Sequence, residues 1–396
     1  MFSSFWWLFL FLVLAAGLLF KIPVLAGAAI VLLLISALAV WWRKRSLEGL
    51  IYRRRLVYRR GYPGEEIPML VEAENQKLLP LSWVQVDDPL PLAIAPRAEE
   101  QLHPSHVADM GVLVNYFSLR WYERKRYRYS LLLRKRGVYP IGPARLESGD
   151  LFGFFDTQAV EEFNVDYITV FPEPLAIQAL QFSSDDPLGE RKAKRRLYED
   201  PNLVMGVRDY QPTDDFRRVH WPSTAHTGKL QVKVYQPVST RVMVACLNAS
   251  TVANYWEGMV PDLLEHILRV TAAVVQQGLA DGYQVGLVSN GCLAHADRPF
   301  RVPPGRSAGQ LAHLLTALAG VTMFVSGPFD RFLRSEAMRL PYGAHLVVVT
   351  GILYPALNET IIRMKNRGWR LTLISFDPQP LKQIPGVHCV HLPYTR

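Results

Sequence analysis

Cysteine is scarce in this chain: Cys246, Cys292 and Cys389 are the three present in 396 residues. Their number is odd and no two stand at Cys-x-x-Cys spacing, which argues against a zinc knuckle and against a disulfide framework. Free thiols in a reducing compartment are the expectation. A phosphate loop is missing as well, because the glycine-bounded stretch Gly305 to Gly309 lacks the Walker lysine and its hydroxyl partner. Acidic residues run short beside a cluster of basic ones just after the N-terminal apolar runs. Residues 43–60 carry eight basic side chains against Glu48 alone, and Lys21 adds one more, so the formal charge of +9 leaves about +1 on residues 61–396. A body so near neutrality argues against nucleic-acid binding, which needs a basic face. Anionic lipid is the expected partner of the stretch Arg43 to Arg60.

Long apolar runs are what the N-terminus has in place of charge. Phe5 to Phe20 is unbroken, and after Lys21 and Pro23 a second run extends from Val24 to Trp42. Each is long enough to cross about 30 Å of hydrocarbon as a short or slightly tilted helix. Met1 to Ser4 has no basic residue and a second apolar segment follows at once, which speaks against a cleaved signal peptide. A two-helix hairpin over residues 1–45, with spans of about 5–20 and 24–42, is the expectation. The basic flank holds both termini on the cytoplasmic side, and Trp6, Trp7, Trp41 and Trp42 fit an interfacial aromatic belt.

Residues 48–175 read as an all-β sandwich: short alternating runs such as IPMLVEAEN, LSWVQVDD and RYRYSLLL are separated by Pro and Gly. In Arg126 to Leu132, alternation turns Tyr127 and Tyr129 toward the core and Arg126 and Arg128 toward water. A basic, aromatic nucleic-acid platform is the competing reading of the same residues. Residues 176–240 form a linker and a charged segment. Within it, Asp185 and Asp186 precede Arg191, Lys192, Lys194, Arg195 and Arg196, as expected of an exposed connection. In residues 241–396 the period changes. VMVACL, Gln284 to Ser289, LVVVT and Leu371 to Phe376 are apolar strands alternating with helical patterns after Pro261, around Leu311 to Leu318, and from Pro355 to Met364. Strands apolar on both faces that alternate with helices predict a covered, mainly parallel sheet.

A dense cluster of both signs around one Trp lies in VRDYQPTDDFRRVHWPSTAHTGK, where Arg208, Asp209, Asp214, Asp215, Arg217, Arg218, His220, Trp221 and Ser223 fall within sixteen residues. Together with Tyr210 this segment resembles the signature of the domain-of-unknown-function 58 family, Arg-x-Tyr-x-x-Gly-Asp-Asp-x-Arg-x-Ile-x-Trp-x-x-Ser-Ala-Arg. Thr213 replaces its Gly and His226 its last Arg. Upstream, RKRGVYPIGPARLESGDLFGFF resembles a second hallmark of that family, an Asp-Pro-Phe-Gly-Leu-Phe box matched by Asp150, Phe152, Gly153 and Phe155, with Leu151 and Phe154 departing from it. The Phe cluster around Gly153 reads as a core plug.

The resemblance implies bacterial inner-membrane proteins paired with MoxR-type AAA+ ATPases, and a von Willebrand A-like (Rossmann-like) α/β domain at residues 241–396. In such domains Asp-x-Ser-x-Ser and later Thr and Asp residues bind a divalent cation. Here the aligned residues are Asn248, Ser250 and Val252, and LVVVTG ends in Thr350 where a second Asp would be sought. An amide in place of the first carboxylate and a missing hydroxyl leave too little hard anionic oxygen for Mg²⁺. The expectation is a degenerate site, Asn248, Ser250 and Thr350, with no metal and no cofactor.

Adjacent Asp214 and Asp215 point to opposite faces of an extended chain, and Ser223 and His226 lack a nucleophile elbow or an orienting partner. No catalytic residue is assigned. The signature reads as a clamp: Arg208 and Arg217 pair with Asp214 or Asp215, and Trp221 buries its ring. The expected function is a membrane-anchored cytoplasmic adaptor working with the ATPase in protein assembly or maturation. A hydrolase using the Asp214/Asp215 loop and a structural scaffold without an ATPase partner are the alternatives.

Overall fold

The computed structural model describes residues 4–97, 102–150, 156–161, 165–175, 199–212, 214–237, 242–254, 257–294, 296–341, 343–379 and 384–394. The chain is mixed α/β and divides into two compact units, Met1–Glu173 with Leu315–Val321, and Pro174–Leu314 with Thr322–Arg396.

The first unit begins with helices α1 (Ser4–Leu19) and α2 (Pro23–Ser46). Pro23 opens α2, where a missing backbone N–H costs nothing. The two helices pack as a hairpin in which Gly17 lies so close to Ala26 that a Cβ on it would sit 2.8 Å from the Ala26 nitrogen. Near the open end, Trp6 Nε1 donates to Ser36 Oγ at 3.4 Å. Only α2, among the described residues, is long and apolar enough to cross a membrane. It continues past Trp42 through Arg43, Lys44 and Arg45, which occupy its last turn and complement the helix dipole.

Eleven strands follow: β1 (Leu50–Leu56), β2 (Arg60–Gly61), β3 (Glu66–Asn75), β4 (Leu81–Pro91), β5 (Leu102–Pro104), β6 (Met110–Leu119), β7 (Arg124–Leu132), β8 (Gly137–Ile141), β9 (Ala144–Gly149), β10 (Asp156–Glu161) and β11 (Asp166–Val170). They form three sheets, ordered β1-β3-β7, β10-β9-β4-β6-β5 and β2-β11-β8. Inward residues from all three, among them Tyr52, Met69, Val86, Phe117, Leu131, Ile141 and Ile168, share one buried cluster. On β3 and β7 the basic alternation is neutralised across the strands. Arg126 Nε lies 2.7 Å from Glu72 Oε2, and Arg124 Nη2 lies 2.8 Å from Glu74 Oε2. Arg126 of RYRYSLL, like Arg124 just before it, thus has a carboxylate partner on the neighbouring strand.

One expected lipid contact is instead buried. The period of β1 turns Leu50, Tyr52 and Arg54 inward and Arg53 and Arg55 outward. Arg54 therefore enters the core and pairs with Asp88 of β4, to which Tyr52 also donates at 2.8 Å. Burial pushes the Asp88 carboxyl up, opposed by Arg54 and the Tyr52 hydroxyl. Asp166 lies 3.5 Å from Arg54 Nε and 3.0 Å from Arg59 Nη2.

The second unit opens with a two-stranded ribbon, β12 (Glu199–Asp209) paired antiparallel with β13 (Gln231–Pro237), and a short helix α3 (Trp221–Thr227) between them. Then come β14 (Val242–Leu247), α4 (Pro261–Ala280), β15 (Gln284–Leu293), β16 (Ala296–Gly305), α5 (Gln310–Ala319), β17 (Val321–Val325), α6 (Phe329–Ala337), β18 (His345–Thr350), α7 (Pro355–Asn366), β19 (Arg370–Ser375) and β20 (His388–His391). The sheet runs β16-β15-β14-β18-β19-β20, with β17 also on β15. Its neighbours are parallel from β15 through β20, and β16 is antiparallel at the edge. Met243 to Leu247 and Leu346 to Val349 are buried throughout, as strands covered on both faces must be. From β14 the chain moves outward to β15 on one side and later to β18 on the other, so the strand order reverses between β14 and β18.

Candidate functional site

In open parallel sheets, ligands and partners gather at the carboxyl ends of the strands where the order reverses. Asn248 follows β14 and Thr350 ends β18, so both stand at that reversal. Asn248 Nδ2 donates to Thr350 Oγ1 at 2.9 Å, and its Oδ1 accepts from the Ser250 backbone at 3.1 Å. Thr350 Oγ1 in turn donates to the Ile352 carbonyl at 2.6 Å, which fixes the direction of the Asn248 bond. Asn290 of β15 completes the set: its Oδ1 accepts from Ala249 N at 2.9 Å, and its Nδ2 donates to Ser250 Oγ at 3.2 Å and to the Gly327 carbonyl at 3.0 Å. All four polar side chains are buried.

The resemblance implied a divalent cation among these residues, and the donor set does not fit one. An N–H of Asn248 is aimed at the hydroxyl that would serve as a ligand, and hard cations take only oxygen lone pairs. Among the described residues no three His, Cys, Asp or Glu side chains gather as metal ligands. Thr251, one position off the motif, accepts from Val260 N at 2.7 Å and so holds the start of α4.

Asn290, Asp377, Asp330 and Tyr354 were not singled out by the sequence. Asp377, after β19, accepts from Leu353 N at 2.7 Å and from Gln379 N at 2.8 Å, tying two strand-end loops together. Asp330 of α6 pairs with Arg334 at 2.5 Å and with the Tyr354 hydroxyl at 3.2 Å. Burial pushes the Tyr354 hydroxyl up to about 12. A carboxylate directly after an apolar strand, as in LTLISFD, was the available signal for Asp377. For Asp330 there was little, because FDRFLRSEA is mostly polar.

The charged signature lies on the β12–β13 ribbon. Arg208 and Asp214 make the expected fork, with Nη1 to Oδ2 and Nη2 to Oδ1 both at 2.6 Å, and Gln211 N adds a donor at 2.9 Å. Arg208 holds the Asp214 carboxyl below the usual carboxylate range. Asp215 is used differently. It caps the 3-10 turn Phe216–Arg218 by accepting from Arg217 N at 3.0 Å, so Arg217 reaches the carboxylates through its backbone.

Trp221 corrects the clamp reading. Its ring is 59% exposed, as is 56% of Phe216, and the two meet edge to face at 6.0 Å with Tyr210 beyond Phe216 at 6.1 Å. The ring opens α3 beside Pro222, and this helix of about two turns is too short to cover it. The helix is held instead by polar bonds. His220 Nδ1 lies 2.7 Å from Ser223 Oγ, Thr224 Oγ1 donates to the His220 carbonyl, and Gly228 closes the helix in the left-handed region. Gln231 Nε2 donates to Asp209 at the ribbon's end. Ser223 thus meets His220, not His226.

Asp150 is buried, whereas Phe152, Gly153 and Phe155, with the core-plug reading placed on them, lie outside the described residues, as do Thr213 and the charged run 185–196.

These features define a mixed α/β chain whose parallel sheet carries an amide and hydroxyl network at its strand reversal, and whose charged aromatic loop stands open to solvent. Residues 206–385, which hold both features, match the family model described as "Protein of unknown function DUF58". A curated relative, the "Uncharacterized protein YeaD" of Bacillus subtilis (strain 168), is 23% identical over 318 residues, spanning 79% of this chain and 72% of that protein. Among solved structures, the CARDB domain of the PF1109 protein from Pyrococcus furiosus aligns with 31% of this chain and 91% of its own at 13% identity and a TM-score of 0.21. A cohesin module from the Clostridium perfringens family 33 glycoside hydrolase aligns with 30% of this chain and 96% of its own at 10% identity and a TM-score of 0.21. Scores at this level carry no argument about this chain.

Proposed function

We propose that this chain is a membrane-anchored cytoplasmic adaptor, without catalysis of its own, that presents a protein-binding surface to a MoxR-type AAA+ ATPase during assembly or maturation of other proteins. The observation that carries the binding role is the exposure of Phe216 and Trp221 beside the Arg208–Asp214 fork. Apolar rings ringed by paired charges are the composition of a recognition surface, since aromatic and arginine side chains supply most of the energy of protein interfaces. The ATPase comes from the family resemblance alone. The α/β unit is assigned to a von Willebrand A-like domain on its strand reversal and on the position of Asn248, Ser250 and Thr350, with the metal replaced by hydrogen bonds. The anchor reading is supported by α2, whose basic last turn favours a cytoplasmic side for the residues that follow, and by α1, which packs against it as the second arm of a hairpin.

The hydrolytic alternative draws on the Ser223–His220 contact. Both groups belong to the cap of one short helix, and among the described residues no carboxylate accepts from the imidazole. Asp214 and Asp215 are engaged by Arg208 and by the turn.

The test is recovery of the tagged full chain from detergent-solubilised membranes, followed by identification of co-purifying proteins. An AAA+ ATPase recovered with the native chain and lost on Asp214→Arg or Trp221→Ala is the expected result. Equal recovery with the variants moves the contact elsewhere. No ATPase with any of them leaves the scaffold reading and ends this one.

A further inference from the structure

Two turn tips of the first unit, each joining strands of different sheets, are apolar where turns are ordinarily polar. Leu78, between β3 and β4, is 73% exposed, and Trp121 and Tyr122, between β6 and β7, are each 65% exposed. Tyr122 also holds a positive φ of 51°, a conformation that is strained for a bulky residue and for which glycine is the default. Nothing in the turn itself requires a ring at that position.

Both tips are fixed to the end of α2. Lys77 Nζ donates to the carbonyls of Arg45 and Ser46, which the helix end leaves without internal partners, and to that of Glu48 just beyond it. The second tip is tied to the first, because Tyr122 N donates to the Lys77 carbonyl at 3.3 Å. Buried Asn75 spans them from beneath, giving its Nδ2 to the carbonyls of Leu79 and Arg120, both at 2.9 Å. Leu78 and Leu79 line a cavity of about 440 Å³ with Trp41 and Arg45, whose guanidinium lies 5.4 Å over the Trp41 ring. Trp41 lies five residues before the end of α2, which is about 7 Å along the axis. The tips therefore lie level with the last turns of the apolar helix. Arg45 and Glu48 line that cavity, Arg43 and Lys44 share the last turn of α2, and exposed Arg120 directly precedes Trp121.

We propose that Leu78, Trp121 and Tyr122, with Arg43, Lys44, Arg45 and Arg120, seat the β unit on an anionic phospholipid surface, the bilayer that α2 enters. The chemistry is that of an interfacial anchor: amphipathic rings and an aliphatic tip at headgroup depth, with cations that meet lipid phosphates. It also narrows the basic flank. Arg54 is buried, and β1 carries Arg53, Arg55 and the residues after them away from the helix end. The lipid contact is thus made by the last turn of α2 and two distant loops, not by one continuous run.

This proposal rests on α2 lying in the bilayer, and the experiment separates the two. Nitroxides are attached through Leu34→Cys, Leu78→Cys, Trp121→Cys and Val107→Cys, each in a full chain carrying Cys389→Ser, since Cys246 and Cys292 are buried. The chains are placed in nanodiscs of phosphatidylcholine with or without phosphatidylglycerol. Val107 is the control, because β6 is 10 residues long and sets it about 30 Å from Trp121. The readout is the ratio of collisions with oxygen to collisions with a water-soluble nickel chelate. The expected result is a hydrocarbon ratio at 34 and ratios at 78 and 121 several-fold above that at 107, rising further with phosphatidylglycerol. A water-like ratio at 34 overturns the membrane reading itself. A hydrocarbon ratio at 34 with 78 and 121 equal to 107 in both lipids overturns only the surface contact. Raised ratios that ignore phosphatidylglycerol overturn the anionic part.

Discussion

Asn248 gives its side-chain N–H to the hydroxyl of Thr350, joining the ends of β14 and β18 where the sheet reverses. A carboxylate at position 248 would be buried, would lose that bond, and would face a hydroxyl already donating to Ile352. Asn248→Asp is therefore expected to lose about 2–4 kcal/mol of stability by denaturant unfolding, the range for an uncompensated buried charge or polar group. Millimolar Mg²⁺ should raise the Tm of the variant and leave that of the native chain unchanged. A native chain whose Tm climbs with Mg²⁺, with the rise lost in Ser250→Ala, would restore the metal site.

The Arg54–Asp88 pair allows a second test, because its members are buried between sheets. Removing Asp88 leaves buried Arg54 with the longer contact to Asp166 as its remaining carboxylate, so Asp88→Leu alone should cost about 3 kcal/mol, the low end for a broken buried pair. The double variant Arg54→Met with Asp88→Leu removes both charges and should recover most of that loss, with Tyr52 losing one hydrogen bond. Additive losses in the double-mutant cycle would show that the two residues do not act as a pair.

What the sequence made legible follows from which physics is local. The strands VMVACL and LVVVT and the helix after Pro261 are periodic, and period alone locates them. The Arg208–Asp214 fork was also readable, because its members are six residues apart and charged. Arg54 was not, since a basic run reads as one flank until the register of β1 turns alternate members inward. Trp221 was misjudged for the opposite reason. Aromatic residues are usually buried, but whether a short helix can cover its own first ring depends on its neighbours. Asn290 came to the strand-end network from 42 positions away in sequence, through a parallel pairing that no local pattern encodes.

Acid should weaken the second unit through His345. Burial, and then the charges of Arg370 and His388, lower its pKa from 6.5 to about 4, while its Nε2 meets Thr372 Oγ1 at 2.8 Å. Between those values the unfolded chain binds a proton that the folded chain does not, so stability rises with pH across that window. The contribution is absent above about 6.5 and fully unfavourable below about 4, on the order of 1–3 kcal/mol. His345→Gln keeps a polar partner for Thr372 and does not titrate. Its unfolding free energy should fall less than that of the native chain between pH 6.5 and 4, and parallel curves would remove His345 from the acid response.

The last prediction concerns the exposed fork. Arg208 is exposed and Asp214 half-buried on the ribbon's outer loop, where solvent reaches the pair, screens it and keeps the stability lost with it small. Asp214→Ala and Arg208→Ala should therefore melt within a degree or two of the native chain, as ordinary surface changes do, while each lowers ATPase recovery. The charge swap Arg208→Asp with Asp214→Arg keeps the attraction and inverts its direction. If the fork only shapes the loop, the swap should restore recovery. If a partner reads these charges, it should not, and that is the expected outcome. For the hydrolytic alternative, Ser223→Ala and Asp214→Ala are compared with the native chain on a panel of ester and peptide substrates, where equal background rates are expected. A turnover present in the native chain and abolished in both variants would make the loop an active site and displace the adaptor reading.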